Sequence, residues 1–314
     1  MGVKRAAVVG IVAGAAVAVA AAGAVAWILL RPASADDVAR DYLAALTEGD
    51  WEAIDGMRAD RLADDAEQIV ADAFVGAAGY AQEPRIVTVG EERDGRVDVE
   101  ATAEIDGSSR DILFTLTRVG SDWKLAGEDY LASLTVRAAI EDGTTLPAVR
   151  IGDAVAPTET AVALLPAVYD IGPAPPGVLE GGAVIGVSND EPATVEVAAS
   201  FSPDAAAQAQ EQLDAYVESC TRASAEVPDH CGLIVPWQAD LAELERIAFR
   251  VERLPEVTLS PTGTSFDATG GIVVATAHGL RRDGTPGSFT YRADDWALRG
   301  SIRFSGDEMV LAVR

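Results

Sequence analysis

The chain has 314 residues, of which 49% are hydrophobic, 50 are acidic and 24 are basic. This apolar content is typical of a folded protein, and the length suggests two or three domains. The formal net charge of −26, with Lys4 and Lys124 as the only lysines, excludes a surface built to bind nucleic acid or anionic lipid. Two cysteines and two histidines are too few for a zinc ribbon, an iron–sulfur cluster or a three-histidine zinc site, so we expect no cofactor and no metal.

The first apolar segment predicts a membrane anchor. Residues 6–30 contain neither a charge nor a proline, and as a helix they would extend about 37 Å, against a hydrocarbon core of about 30 Å. Lys4 and Arg5 place the five-residue stub 1–5 in the cytoplasm, and Trp27 lies where an interfacial aromatic residue belongs. We therefore expect a single-pass cell-membrane protein whose C-terminal region is extracytoplasmic.

A cleaved signal peptide is the alternative for the same segment. Ala33, Ser34 and Ala35 provide small residues at the spacing of a cleavage site. The apolar stretch is longer than the ~7–15 residues usual in a signal peptide, which favours the uncleaved anchor.

The expected topology determines how the cysteines and the charge are interpreted. Cys220 and Cys231 fall in the translocated part, where we expect them to form a structural disulfide. The alternative is a reactive cysteine with the neighbouring His230 as its base. Without Lys4 and Arg5 the chain retains 22 basic and 50 acidic residues, so a net charge of −28 lies outside the membrane.

Residues 36–130 change from helical to strand periodicity. Val38, Tyr42, Leu43 and Leu46 predict one apolar helix face, and shorter helical patterns follow as far as about residue 80. Four strands are predicted after Pro84, and turn residues at 94–95, 106–107 and 120–121 join them into an antiparallel meander. The predicted strands are 86–89, 96–103, 111–117 and 122–126.

Residues 39–46 (ARDYLAAL), 48–51 (EGDW) and 120–125 (GSDWKL) carry a family resemblance. The region 36–130 resembles the nuclear-transport-factor-two-like (NTF2-like) fold, a cone of helices on a curved sheet. Members of that fold include isomerases, cyclases and hydrolases as well as non-catalytic extracytoplasmic domains. The resemblance implies a cone interior, for which the candidate polar residues are Tyr42, Asp55, Tyr80 and Tyr130.

Residues 131–182 predict a small β-rich module. The segments 149–153 (VRIGD) and 165–169 (LPAVY) resemble the small repeated β domains of Gram-positive envelope proteins such as the teicoplanin-resistance-associated protein TcaA. In those domains a glycine is expected where this chain has Ala167.

Residues 183–314 predict a second unit in which one helix packs on an antiparallel sheet. The helix is expected from Asp204 to about Cys220, after strands at 183–187 and 194–199. The helix and the cysteine pair resemble the C-terminal domains of actinobacterial membrane-anchored proteins of unknown function. The strands expected beyond them are 247–259, 271–278, 287–292, 297–304 and 308–313.

Taken together, these patterns predict an α+β protein with an N-terminal transmembrane helix. The chain has no nucleophile elbow, Walker motif or EF-hand loop, and His278 falls within an alternating strand pattern. We therefore expect a non-enzymatic binding or scaffolding module of the cell envelope, whose partner is a wall component or a membrane protein. The alternative is a small-molecule-binding or weakly enzymatic cone displayed outside the membrane.

Overall fold

The computed structural model describes residues 33–140, 143–306 and 308–314. In this part the chain is mainly β, with 52% of residues in strands and 19% in helices. The expectation of an α+β fold built on cones is therefore wrong. The predicted helical segments do form, but they are short, while residues 131–201 and 243–313 consist largely of strands.

Four α-helices are present in the described residues. The first begins with a capping box, in which the side chain of Ser34 accepts from Asp37 N and the side chain of Asp37 accepts from Ser34 N, and it ends at Gly49 in the left-handed conformation. Asp50 caps the second helix by accepting from Ala53 N at 3.0 Å. The helices are α1 Ala35–Glu48, α2 Trp51–Met57, α3 Asp64–Val75 and α4 Ala205–Cys220.

The first sheet confirms the predicted meander. After the short β1 Gly79–Tyr80, its order along the sheet is the order along the chain. The turn at Asp106 and Gly107 has φ of 51° and 67°, as a tight two-residue hairpin requires. The four strands are β2 Gln82–Val89, β3 Arg96–Ile105, β4 Ser108–Val119 and β5 Asp122–Leu125.

The second and third sheets mix strands from distant parts of the chain. The second has the order β1-β11-β8-β9 with β13 also on β11, and the third has the order β10-β6-β14-β12 with β7 also on β6. The domain boundary predicted after residue 182 falls within these two sheets, because β13 and β14 follow it and belong to them. The strands are β6 Ala132–Ile140, β7 Thr144–Thr145, β8 Ala148–Ile151, β9 Ala154–Pro157, β10 Ala161–Leu164, β11 Ala167–Pro173, β12 Leu179–Gly181, β13 Ala183–Val187 and β14 Ala193–Phe201.

The fourth sheet has the order β15-β17-β18-β19, with β16 also on β17. The strands predicted at 287–292 and 297–304 are one continuous strand, because an irregularity in the pairing between Ala293 and Trp296 takes the place of a turn. Helix α4 packs against β16 and β19. The strands are β15 Glu243–Arg253, β16 Glu256–Leu259, β17 Ser265–Leu280, β18 Pro286–Ser305 and β19 Glu308–Val313.

The predicted anchor at 6–30 and the stub at 1–5 lie outside the described residues. Within the part of the chain that is described, no helix combines the length and apolar character needed to cross a membrane.

Candidate functional site

Two of the four cone candidates belong to the core of the first region. Tyr42 and Tyr130 are 0% and 1% exposed. The hydroxyl of Tyr42 donates to Tyr130 O at 3.3 Å, and its ring packs edge-on against Phe114 with centroids 4.7 Å apart. Burial raises the pKa of Tyr42 well above its usual value. Aromatic side chains fill the interior here, and both tyrosines are closed off from solvent.

The other two candidates face different surroundings. Tyr80 lies beneath Gly49 and donates to the main-chain oxygen of Phe74 at 3.2 Å, which ties β1 to the end of α3. Asp55 lies on α2 and accepts from Arg58 at 2.6 Å. Tyr42 and Tyr80 are thus engaged in separate structural contacts, whereas Asp55 and Tyr130 both lie beside Arg58.

Arg58 is a buried charge that the sequence patterns did not indicate. Its side chain is 2% exposed, and Nη2 lies 2.6 Å from Asp55 Oδ1 and 2.8 Å from Glu67 Oε2. The guanidinium also stands 5.2 Å from the centroid of the Trp51 ring. The hydrogen bond from Arg58 lowers the pKa of Glu67. Trp51 and Asp55 precede Arg58 by seven and three residues, the spacing of one helix face, but Glu67 lies on the next helix and no local pattern brings it to this cluster.

This cluster has a structural character. Nε and Nη1 of Arg58 and the hydroxyl of Tyr130 are fully buried, and the guanidinium interacts with this hydroxyl as well as with Asp55 and Glu67. These atoms are shielded from bulk solvent. We assign Arg58 to holding α2 and α3 together.

The cysteine pair is a disulfide, as predicted. Cys220 and Cys231 are bonded with their Cα atoms 5.7 Å apart, which excludes the reading of a free cysteine activated by His230. The indole N–H of Trp296 donates to Cys231 O at 2.9 Å. Tyr216 on α4 donates to His230 O at the same distance. The loop that the disulfide closes, residues 220–231, is therefore held to α4 on one side and to β18 on the other.

An apolar groove lies directly after the disulfide. Residues 232–236, which we call the covering segment, cross one face of β15, β17 and β18 and leave a cavity of about 170 Å³. Phe249, Ala275 and Tyr291 lie opposite one another and form one row across this face. Val273 and Ala293 pair in the next row. These side chains and the covering segment line the groove.

The covering segment exposes a large aliphatic side chain. Ile234 is 91% exposed, more than any other large hydrophobic residue in the described part of the chain. Gly232, at φ +61°, allows the segment to pass over β18, because a Cβ there would lie 2.4 Å from Ala297 O. The segment stays close to the sheet while presenting Ile234 to solvent.

Polar groups at the groove are few and already paired. Tyr291 donates to Asp240 Oδ2 at 2.8 Å, and burial together with this contact raises the pKa of Tyr291 to about 12. Arg292 pairs with Glu252 and, at 2.8 Å, with Asp294. No nucleophile stands beside a base among the groove residues. In the described residues no group of His, Cys, Asp or Glu is placed to hold a metal ion. This chemistry suits binding of an apolar side chain.

The chain matches no protein-family model, no curated protein and no solved structure. The resemblances to NTF2-like and TcaA-like domains therefore remain predictions from their motifs.

Proposed function

We propose that this protein is a non-catalytic binding module of the cell envelope, anchored by residues 6–30 and displayed outside the membrane. The observation that carries the proposal is the groove beneath the covering segment, beside which Ile234 is 91% exposed. Burial of this side chain and of the apolar groove lining against a partner would be favourable.

The surroundings of the groove support an extracytoplasmic setting. The covering segment begins one residue after Cys231, and disulfides persist in oxidising compartments. The segment is thus held in place by a bond that would be reduced in the cytoplasm.

The alternative is a small-molecule site inside the first region, and two of its four candidate residues are closed off from solvent. Tyr42 and Tyr130 are core side chains, and Phe74 and Phe114 occupy the same interior. The groove in the fourth sheet is therefore the better-supported site, and its partner is a wall component or a membrane protein.

Photo-crosslinking in cells tests the binding site. A photo-reactive amino acid would replace Ile234 in the full-length protein, with Val87, which is 61% exposed on β2, as the matched control position. We expect a defined crosslinked product from position 234 that is absent from position 87. Adding Phe249→Ala, which removes part of the groove floor, should weaken the product. Equal products from both positions, or none from position 234, would contradict the proposal.

The anchor is tested by fractionation and N-terminal sequencing of the protein from cells. We expect the protein in the membrane fraction, with residues 6–30 retained. A mature chain that begins at Asp36 and is released into the medium would refute the anchor.

A further inference from the structure

Side-chain amides cap two strand edges of the fourth sheet. Gln210 on α4 accepts from Val257 N at 2.8 Å and donates to Pro255 O at 3.0 Å, along β16. Two residues further along the helix, Gln212 accepts from Leu311 N at 3.2 Å and donates to Met309 O at 2.7 Å, along β19. An amide carries one donor and one acceptor group, so it can take the place of a neighbouring strand.

The first sheet has the same device. Asn189 accepts from Leu113 N at 3.2 Å and donates to Leu113 O, on the part of β4 that β5 does not cover. Two elements of this fold, α4 and the turn after β13, therefore provide amides that satisfy strand edges.

The edge of β18 has no such cap. β17 pairs with one side of β18 from Pro286 to Ser301, but on the other side β19 begins only at Gly300. Across the described parts of the chain, no protein group hydrogen-bonds to the outward-facing main chain of residues 287–295. We call this stretch the free edge. Its exposed donors and acceptors form a template for one more strand.

The free edge adjoins the groove. Tyr291 and Ala293 line the groove, and Phe289 lies on the same face of β18 because side chains alternate along a strand. A strand added at the free edge would direct every second side chain toward this apolar face. Main-chain bonds would supply affinity, and the groove would select the side chains.

We propose that the free edge of β18 binds an extended peptide segment of a partner protein by strand addition, with apolar side chains at alternate positions. This inference rests on the proposed binding function and identifies the form of its partner. The intervening positions of the segment are basic, because the chain carries a net charge of −26 and Asp294 and Asp295 are exposed along the free edge.

A second copy of this chain is a poorer occupant. Two molecules that each carry −26 repel one another. Pro286 at the start of the edge and the charged Arg292 and Asp294 within it are features that oppose pairing of like edges. These features disfavour pairing of two free edges, while a basic strand can still pair with the free edge.

The test uses the purified full-length protein in detergent and a ten-residue peptide of alternating valine and lysine. The control peptide has the same composition with the valines in one block. We expect the alternating peptide to slow amide exchange at 287–295 by about tenfold at saturation, and the block peptide to have no such effect. Absence of protection at the free edge, or equal protection by both peptides, overturns the inference.

Paired proline variants show whether the peptide bonds to the edge itself. Neighbouring residues of a strand direct their N–H groups to opposite sides, so only one of Phe289→Pro and Thr290→Pro removes an outward N–H. That variant should keep its unfolding temperature and bind the peptide about fivefold more weakly. The other should destabilise the pairing with β17. Full peptide affinity in both variants contradicts strand addition.

The two proposals fail in different ways. If the peptide leaves the free edge unprotected while position 234 still crosslinks in cells, strand addition is wrong and the binding function stands. If the edge is protected but position 234 gives no product, strand addition stands and the groove beneath the covering segment is not the cellular binding site.

Discussion

The side-chain amide of Asn189 bonds to both main-chain groups of Leu113. Its Oδ1 accepts from Leu113 N at 3.2 Å, and its Nδ2 donates to Leu113 O and, at 2.6 Å, to Asp129 O. The amide thereby joins the turn after β13 to the first sheet, between parts of the chain far apart in sequence. Two acceptors facing one Nδ2 group also make this position sensitive to the chemistry of its side chain.

We expect Asn189→Asp to lower the free energy of unfolding by about 1–2 kcal/mol, because a carboxylate cannot donate to the two carbonyl oxygens. Glu191→Gln is the matched control, since that side chain is 74% exposed and makes only a 3.8 Å contact with Arg110. Urea denaturation followed by circular dichroism measures both variants. Equal unfolding curves for Asn189→Asp and wild type would show that the amide contributes nothing.

Gly152 allows the β8–β9 turn to approach the end of α3. It has φ +56°, and a Cβ there would lie 2.5 Å from Ala73 O and 2.9 Å from Gly76 O. We expect Gly152→Ala to destabilise the protein by about 3 kcal/mol, from backbone strain and steric overlap together. In Gly107→Ala, at φ +67° with open space around it, only the backbone strain of about 1 kcal/mol applies. Similar losses in the two variants would argue against a tight contact at Gly152.

The disulfide predicts a simple chemical result. Denatured but unreduced protein should contain no reactive thiol, and reduction should release two. Replacing both cysteines by serine should lower stability by about 3 kcal/mol, since the crosslink closes a short loop between Cys220 and Cys231. The assay is thiol titration, followed by urea unfolding of the double variant. Detection of two thiols before reduction would refute the bond.

Arg58 makes stability depend on pH through Glu67. The pKa of Glu67 is lowered in the folded protein, first by its hydrogen bond from Arg58, so its stabilisation is present above the ordinary pKa of 4.5. This stabilisation is lost as the pH falls through the lower folded-state value. We therefore expect the unfolding temperature of the wild type to fall more between pH 7 and pH 3 than that of Arg58→Met.

Arg61→Met is the control for that experiment. Arg61 also contacts Glu67, at 3.2 Å, but its side chain is 79% exposed, and solvent screens exposed pairs strongly. Its pH dependence should resemble that of the wild type. If Arg58→Met keeps the full wild-type pH dependence, the buried guanidinium is not its source.

Local patterns predicted the local structure well. The helix face of Val38, Tyr42, Leu43 and Leu46 is buried as expected, and the turn at Asp106–Gly107 connects the strands that alternation indicated. Both features depend on residues a few positions apart, where periodicity and turn chemistry carry most of the information.

Features that depend on distant residues were missed. Alternation predicted strands where β14 and β6 lie but not their parallel pairing, and the turn-like residues near Asp294 concealed the continuity of β18. The cone candidates were polar residues in an otherwise apolar pattern, yet Tyr42 places its hydroxyl on a main-chain oxygen inside the core. The groove arises only when the covering segment meets strands that follow it in the chain, so no local motif marks it.

The parallel pairing of β6 with β14 has a consequence for how the chain folds during synthesis. The first sheet uses only strands that follow one another and can form as soon as they emerge. β6 emerges next, but its neighbour β14 arrives only with Ala193–Phe201. Closing so long a loop is slow, because chain entropy is lost before the contacts form. A nascent chain that ends before residue 193 therefore carries a complete first sheet and a β6 that is paired with β10 on one side but open where β14 will pair. This is the interval in which the chain is most open to aggregation.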